Sequence, residues 1–530
     1  MPAPAQRPVV VIGAGMGGLA AAMLLAAAGH RVIVVEAGDG PGGKMRVVET
    51  SGQRFDAGPT VMTMKWVFDN LLARCGTRLE DEITLNRCDL LARHYWDRGE
   101  SLDLFADVRE SRRAIAEFAG KPDADGFQRF VEDSARIFTL LKDSFIDATR
   151  PNPASLSLRI GLRRPGSLLA LKPFSTLWSA LGGYFSDPRL RQLFGRYATY
   201  CGSSPFLAPA TLMLVAHVEQ AGVWRVEGGM NALARGLADL AIRLGVEVHY
   251  GARVRKICRD NSGKAVSGVM TDDERHIDAQ AVVYNGDVAA LPRLLGPSIP
   301  SSSGQRPKER SLSALVACSM GVPRGVPLAH HTVFFSDNYH SEFGAIFGRQ
   351  MPPRDPTVYV CAQDRDASGK LHAGHAHGAS ERLYCLMNLP ADGDRRRYDE
   401  SELERCLTSM DRRLAANGLT ILRDANAQVV TAPDKFESLY PGSGGALYGM
   451  ASHGWAASFN RPGCRGPIKG LYLAGGSVHP GPGVPMAALS GKLAADQLMA
   501  DMGSTNLPRL VAITGGTQMA PARAGATPSP

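Results

Sequence analysis

Four glycines near the start of the sequence have the spacing that phosphate binding requires. Gly13, Gly15 and Gly18 form a G-x-G-x-x-G pattern, with Gly17 inside it, directly after the apolar run Val9 to Ile12. Gly13 would permit a tight turn, Gly15 would let the backbone approach a pyrophosphate, and Gly18 would let a helix pack close to a strand. Free N–H groups at the start of that helix attract phosphate. The spacing therefore predicts a dinucleotide-binding turn.

A second apolar run supports this prediction. Arg31 to Val35 ends at Glu36, whose carboxylate can accept hydrogen bonds from ribose hydroxyls. Strand, glycine turn, helix, second strand and acid follow one another within roughly 30 residues, which is the order of a βαβ dinucleotide-binding unit. A glycine-rich turn that binds nothing is the alternative, and the ordered set of features argues against it.

The residues that follow indicate which dinucleotide binds. Gly42, Gly43 and Lys44 form a second glycine turn with a basic neighbour, and RFDAGPT follows at Arg54 to Thr60. This combination resembles the flavin oxidoreductases that include amine oxidases and carotenoid desaturases. The resemblance implies FAD rather than NAD, with Gly43 and Lys44 lying along it. Lys44 stands where the family usually has Arg, which keeps the charge but loses the bidentate fork of a guanidinium.

The elements that must position these residues are predicted from patterning and composition. The chain has 530 residues, 44% hydrophobic and 21% charged, which is ample for a large core. We expect an α/β fold in which a Rossmann-like FAD-binding domain is assembled from discontinuous segments, with α+β substrate and membrane-contact regions interleaved. The predicted regions are 1–104, 222–311 and 434–502 for FAD binding, 105–221 for substrate and membrane contact, 312–433 for substrate, and 503–530 as a flexible tail.

Two later segments carry further predicted contacts with FAD. From Gly222, a turn, an amphipathic helix and a strand lead to Val254, which the resemblance places near the adenine. A strand from Leu471 to Ala474 ends in a glycine turn, followed by a helix whose N-terminus would face the flavin or its ribityl chain. The residues that the resemblance assigns to this closing motif are Gly475, Gly476, Val484 and Pro485.

These motifs and the segment LFGRYATYCGSSPFLAPATL, at Leu193 to Leu212, together resemble bacterial carotenoid desaturases of the phytoene desaturase type. The YCGSSP segment and the AGGSVHPGPGVPM ending look most like the hydroxyneurosporene or 1-hydroxycarotenoid 3,4-desaturases of purple photosynthetic bacteria. The resemblance implies hydride abstraction next to the polyene of an acyclic 1-hydroxycarotenoid, forming a C3–C4 double bond, as from 1-hydroxyneurosporene to demethylspheroidene. The electrons would pass to oxygen or to a quinone.

Other activities stay open at this point. A phytoene desaturase shares the H-P-G-x-G-x-P core, and the N-terminal motif alone also fits an amine oxidase with a polar substrate. A carotenoid isomerase of the same fold would need reduced flavin and no net oxidation. A noncatalytic flavin-binding protein would need no substrate tunnel.

His479 is the candidate catalytic residue, because the resemblance places it beside the flavin. It could accept or relay the proton that leaves C3, or it could bind the tertiary hydroxyl of the substrate. The alternative is that His479 caps the loop before Pro480.

The segment His330 to Phe347 could line a substrate tunnel, although its phenylalanines more often belong to a core. Those residues are Phe334, Phe335, Phe343 and Phe347. His330, His331 and His340 could hold a metal, but the H-H pair would place its side chains on opposite faces of a strand, and no carboxylate lies at ligand spacing. We therefore expect no metal site.

The net charge of +8 suggests an anionic partner. The sequence lacks the basic stripe interleaved with aromatic residues that is typical of nucleic-acid binding, so nucleic acid is not the expected partner. Between Asp147 and Asp187 the chain carries no carboxylate, which predicts peripheral contact with anionic lipid on the inner, cytoplasmic face of a membrane. A solvated basic face over a core helix is the alternative. The residues concerned are Arg150, Arg159, Arg163, Arg164, Lys172, Phe174, Trp178, Tyr184 and Phe185.

The cysteines and the apolar runs indicate in which cellular compartment the protein is expected. Nine cysteines with no C-x-x-C pair, and no secretory leader before Val9, predict reduced thiols in the cytoplasm. No uninterrupted apolar run reaches the roughly 18 residues of a transmembrane helix, so any membrane contact would be peripheral.

Overall fold

Five short strands from distant parts of the chain pair in one parallel sheet. The computed structural model describes residues 7–149, 156, 171–172, 174–296, 309–372 and 378–503. The strands are β1 (Val9–Ile12), β2 (Val32–Val35), β3 (Val47–Thr50), β4 (Gln53–Asp56), β5 (Met62–Thr63), β6 (Leu85–Arg87), β7 (Leu90–Tyr95), β8 (Ser101–Phe105), β9 (Val223–Val226), β10 (Glu247–His249), β11 (Val254–Arg259), β12 (Val266–Thr271), β13 (His276–Asp278), β14 (Ala281–Tyr284), β15 (Ser313–Gly325), β16 (His331–Phe334), β17 (Val358–Ala362), β18 (Glu381–Leu389), β19 (Leu419–Thr431) and β20 (Leu471–Leu473).

The α-helices lie between these strands and after the last one. They are α1 (Met16–Ala27), α2 (Lys65–Arg74), α3 (Leu79–Glu82), α4 (Val108–Ala119), α5 (Lys121–Leu141), α6 (Leu177–Leu181), α7 (Pro188–Gly195), α8 (Leu214–Gln220), α9 (Met230–Arg243), α10 (Leu291–Leu295), α11 (Tyr339–Phe343), α12 (Glu400–Ala416), α13 (Pro433–Leu439) and α14 (Val484–Asp501).

The parallel sheet has the strand order β10-β2-β1-β14-β20. Strands β1, β2 and β14 are apolar on both faces, as expected for the middle of a parallel sheet covered on both sides, and all their residues are buried, whereas the edge strand β10 carries Glu247 and His249. Helix α1 packs against α14 at very short range, since a Cβ on Gly491 would lie 2.1 Å from the Gly17 carbonyl oxygen. The predicted Rossmann-like α/β domain, assembled from discontinuous segments, is confirmed.

A second sheet of seven strands has the order β19-β15-β18-β17-β16-β7-β8. All its neighbours pair antiparallel except β16 with β7. Strand β7 and all of β8 except Phe105 fall inside the expected segment 1–104, so that boundary does not separate the two sheets. Phe334 and Phe335 are fully buried and Phe343 is buried, which makes them core residues, whereas Phe347 is half-buried and its ring contacts His453.

A buried arginine ties α12 to three loops at one end of the second sheet. The Arg413 guanidinium donates to Asp355 at 2.7 Å, to Asp337 at 2.7 Å and to Asp97 at 3.0 Å. Asp97 follows β7, Asp337 follows β16 and Asp355 precedes β17. One positive charge therefore holds together loops that are far apart in the sequence. All three carboxylates keep contact with solvent.

The basic segment before Asp187 differs from its prediction. Tyr184 and Phe185 are buried in the core and cannot enter a lipid headgroup layer, because they pack against α5 at Phe130. Trp178 is half-buried, whereas Phe174 is 88% exposed. Arg150, Arg159, Arg163 and Arg164 lie outside the described residues, as does the predicted tail from residue 504 onward.

All nine cysteines are free thiols. Within the described ranges, no helix combines the length and the apolar character needed to cross a membrane.

Candidate functional site

A cavity of about 590 Å³ opens where the carboxyl ends of β1, β2, β14 and β20 meet, which is the edge where parallel α/β sheets bind ligands. Strand β18 contributes Tyr384 and Leu386 and β15 contributes Val316, so the second sheet closes the opposite side. Most of the predicted cofactor residues line this one cavity. They are Gly13, Gly15, Gly17, Glu36, Gly43, Lys44, Val254, Gly475, Gly476 and Val484.

Gly18 and Pro485 lie outside the lining. A Cβ on Gly18 would lie 2.0 Å from the Gly13 carbonyl oxygen, which fits a role in packing the helix against its strand. Pro485 is buried in the first turn of α14, where a missing N–H costs nothing. Both residues therefore support the structure around the cavity and do not face its interior.

Two helices begin at the cavity without side-chain caps. Helix α1 follows Gly15 and α14 follows Gly483; neither N-cap forms a side-chain hydrogen bond, and neither first turn contains an acid. Helix α4, by contrast, is capped by the Asp107 carboxylate, which accepts from Arg109 N at 2.6 Å. The first N–H groups of a helix need acceptors and favour negative charge. These two ends therefore fit the pyrophosphate and the oxygen-rich parts of FAD.

Two cationic side chains lie at the cavity wall: Lys44 lines the cavity, and the Arg461 guanidinium donates to the carbonyl oxygen of Gly476, a lining residue, at 3.2 Å. Lys44 Nζ donates to the Leu447 carbonyl oxygen at 2.6 Å, and the Arg461 guanidinium donates to the Met450 carbonyl oxygen at 2.7 Å. Burial lowers the pKa of both side chains. Neither forms a salt bridge with another described residue. Buried charges without ion pairs are costly, so a bound group that carries negative charge would stabilise this wall.

Glu36 sits at the end of β2 with its carboxylate held in place. Its two oxygens accept hydrogen bonds from Ala14 N at 2.6 Å and from Gly38 N at 2.7 Å. Each carboxylate oxygen retains a further lone pair that could accept from a ribose hydroxyl. The contact with Ala14 also fixes the acid against the glycine turn, so phosphate and ribose contacts would be positioned together.

Asp56 is a residue whose role the sequence did not reveal. Its carboxylate accepts from Met230 N at 2.8 Å and from Asn231 N at 3.2 Å, so it caps helix α9 from 174 residues away. Asn231 Nδ2 in turn donates to the Met45 carbonyl oxygen at 2.7 Å. The RFDAGPT motif thus joins the second glycine turn to the second predicted FAD segment. No local spacing could have shown this, because the helix N-cap itself is Gly229.

Asn285 is a second residue whose contact with the glycine turn the sequence did not reveal. It follows β14, and its Nδ2 lies 3.3 Å from the Gly13 carbonyl oxygen. A Cβ on Gly15 would lie 2.8 Å from the same Nδ2, and a Cβ on Gly17 would lie 2.6 Å from Asn285 Oδ1. The glycines of the first motif are therefore required by Asn285 as well as by phosphate.

His479 does not line the cavity. It is buried, its ring lies edge-on to Phe145 with centroids 5.0 Å apart, and its Nε2 has no hydrogen-bond partner among the described residues. Burial lowers its pKa to about 4, so the ring is neutral at pH 7. Its part in proton transfer stays a prediction.

The prediction that His330 and His331 place their side chains on opposite faces of a strand is wrong. Their ring centroids lie 4.5 Å apart, and their ligand atoms and Cys361 Sγ all lie within 4.8 Å of one another. The reason is that β16 begins at His331, so strand alternation does not extend back to His330. Each ring uses Nδ1 in a protein contact, His330 with the Arg365 carbonyl oxygen and His331 with the Tyr359 hydroxyl, both at 2.7 Å. His340 lies elsewhere, against the ring of Phe206.

Known proteins resemble this chain over almost its full length. The family model of flavin containing amine oxidoreductases matches residues 16–499. A hydroxyneurosporene desaturase of Rubrivivax gelatinosus is 48% identical over 98% of both chains, and one of Rhodobacter capsulatus is 44% identical over 94% of this chain and 98% of its own. An oxidoreductase structure from Methanosarcina mazei has the same fold, with a TM-score of 0.57 at 18% identity, covering 92% of this chain and 100% of that one.

The family assignment agrees with the cofactor-binding features of the cavity. The flavin family confirms FAD as the cofactor and an oxidoreductase as the class of enzyme. The residues present fit that cofactor, because glycine turns, uncapped helix ends and the Lys44 side chain meet in one cavity, and Arg461 lies behind its wall at Gly476. The chain belongs to the flavin containing amine oxidoreductases and, within them, to the carotenoid desaturases.

Proposed function

We propose that this enzyme is an FAD-dependent desaturase that introduces the C3–C4 double bond of acyclic 1-hydroxycarotenoids, as in 1-hydroxyneurosporene. The observation that carries the proposal is the 48% identity to a hydroxyneurosporene desaturase along 98% of both chains. The cavity supports it, because its wall on the side of the second sheet is built from apolar and aromatic side chains.

This reaction does not require a strong general acid or base from the protein. The hydrogen on C4 is allylic, so the polyene itself can spread the positive charge that hydride loss leaves behind. Bound FAD would supply the hydride acceptor, and loss of the C3 proton, for which His479 stays the candidate acceptor, would complete the double bond. The protein's task is to hold C4 at the cofactor and to exclude water. Val316, Leu386 and Phe436 supply an apolar wall for this purpose.

The test offers the purified FAD-loaded enzyme three carotenoids separately in liposomes, namely phytoene, neurosporene and 1-hydroxyneurosporene. We expect a red shift of the polyene absorption with the hydroxylated carotenoid alone. Turnover of phytoene would instead identify an early desaturase, and no shift with any carotenoid would favour the oxidase or isomerase alternatives. Parallel assays for hydrogen peroxide and for quinone reduction would identify the electron acceptor, which is proposed to be oxygen or a membrane quinone.

Membrane contact is proposed through a cluster of exposed apolar side chains, which we call the apolar patch. It consists of Phe174, Leu207 and Trp455, which are 88%, 47% and 53% exposed. The rings of Phe174 and Trp455 lie 6.5 Å apart, and Gly454 N donates to the Leu207 carbonyl oxygen at 2.8 Å, so the three form one surface. Such a surface can enter the headgroup boundary of the inner face of a membrane.

We expect the double variant Phe174→Ser with Trp455→Ser to bind anionic liposomes roughly tenfold more weakly, because it loses two exposed aromatic rings that the lipid would bury. Co-sedimentation with vesicles measures the change. Ile242→Ser is the matched control, since Ile242 is 50% exposed on α9 outside the patch. Equal binding by the double variant and this control would contradict the assignment.

A further inference from the structure

A group of polar side chains adjoins the cavity beside the second sheet. We call it the arginine cluster, and its members are Arg196, Tyr200, His331 and Tyr359. The Tyr359 hydroxyl lies 2.6 Å from Thr60 Oγ1 and 2.7 Å from His331 Nδ1. Thr60 follows Pro59, which lines the cavity, so the cluster begins one residue beyond the cofactor wall.

Arg196 is the charged member of this cluster. Its guanidinium carbon lies 5.4 Å from the ring centroid of Tyr200 and 5.7 Å from that of Tyr359. The side chain lies deep in the protein yet keeps accessible surface. In the part of the chain that the structure describes, it forms no salt bridge. Its donors therefore have room for a further acceptor, because an arginine can donate five hydrogen bonds.

The charge of Arg196 is balanced indirectly. Glu219 accepts a hydrogen bond from the Tyr197 hydroxyl at 2.7 Å and a short one from the Tyr200 hydroxyl. The carboxylate favours the charged guanidinium electrostatically without occupying its donors. This arrangement keeps a cation next to an apolar site and leaves it available to a neutral ligand that carries an oxygen atom.

We propose that Arg196 donates a hydrogen bond to the tertiary hydroxyl of the carotenoid substrate and so selects hydroxylated chains. The inference rests on the proposed function and deepens it. Carbon 1, which carries the hydroxyl, is separated from the reacting C3–C4 bond by a single carbon. The hydroxyl must therefore be bound beside the flavin site, where the arginine cluster lies. Tyr384 connects the two regions, since it lines the cavity and its ring centroid lies 6.1 Å from that of Tyr359.

A carotenoid without the hydroxyl would bring only C–H groups against the guanidinium. The donors would then lose water without gaining an acceptor, which disfavours that substrate. Sites built to bind a substrate hydroxyl discriminate strongly against analogues that lack it. Arg196 is therefore assigned as a specificity-determining residue for the end group.

The experiment compares wild-type enzyme with Arg196→Met, which keeps the side-chain length but loses every donor. Turnover and carotenoid binding, followed by quenching of flavin fluorescence, are measured with 1-hydroxyneurosporene and with neurosporene. We expect the preference for the hydroxylated carotenoid, in kcat/KM and in affinity, to fall roughly 100-fold in Arg196→Met, with flavin content unchanged. Arg196→Lys should keep part of the preference, because it retains a charged donor.

The outcomes separate the two proposals. Wild-type enzyme that shows no preference for 1-hydroxyneurosporene would overturn the proposed function and this inference together. A wild-type preference that Arg196→Met retains would overturn the inference alone. If Arg196→Met fails to hold flavin, the preference of Arg196→Lys decides, since a fully wild-type ratio with a shorter, single-headed donor would contradict hydrogen bonding by the guanidinium.

Discussion

Gly15→Val is expected to remove FAD from the purified enzyme while leaving the fold in place. The φ angle of Gly15 is −74°, which any residue can adopt, so the backbone conformation alone does not require glycine here. A Cβ there would lie 2.8 Å from Asn285 Nδ2, and its methyl groups would occupy the space through which the backbone approaches the pyrophosphate. We expect FAD affinity to fall roughly 100-fold, equivalent to about 2.7 kcal/mol.

The measurement is the flavin absorbance per mole of purified protein, followed by titration of the apoprotein with FAD. Gly40→Ala is the matched control, because Gly40 lies in the same region and a Cβ there would meet nothing within 4 Å. The control should purify with a full complement of flavin. A yellow Gly15→Val protein with wild-type affinity would show that the pyrophosphate does not lie on this turn.

Arg413→Met is expected to lower the free energy of unfolding by about 3 kcal/mol. The substitution removes the cation that holds the loops after β7, after β16 and before β17, and it leaves Asp97, Asp337 and Asp355 close together without compensation. Because all three carboxylates reach solvent, they can be partly rehydrated, which keeps the loss below that of a fully buried ion pair. Flavin content should be unchanged, since Arg413 does not line the cofactor cavity.

Urea denaturation followed by circular dichroism measures this loss. Arg412→Met is the control, because its side chain is the exposed neighbour on the same helix and the same charge is removed. We expect Arg412→Met to stay within about 0.5 kcal/mol of wild type. Equal destabilisation by the two variants would mean that net charge, rather than the three contacts of Arg413, governs stability here.

The FAD-binding residues of this enzyme could be predicted from the local sequence. A strand, a glycine turn and a helix are adjacent in the chain, and glycine spacing reports a backbone geometry that few other residues permit. For that reason ten of the twelve predicted cofactor residues line one cavity. The family resemblance likewise rested on continuous motifs, and the near full-length similarity to desaturases confirms it.

Only the tertiary structure shows the surroundings of residues whose contacts come from distant segments of the chain. The sequence placed Asp56 in a motif, but only the fold brings its carboxylate to the start of α9 at Met230. His479 was predicted beside the flavin, and only the fold shows that its ring packs against Phe145; its role stays a prediction. Arg196 lies in the segment Leu193 to Leu212 that supported the family resemblance, but the sequence assigned it no role, because its surroundings are formed by Tyr359 on β17 and Glu219 on α8. Such environments depend on burial and long-range packing, which local spacing does not encode, whereas turns and helix starts are set by neighbouring residues.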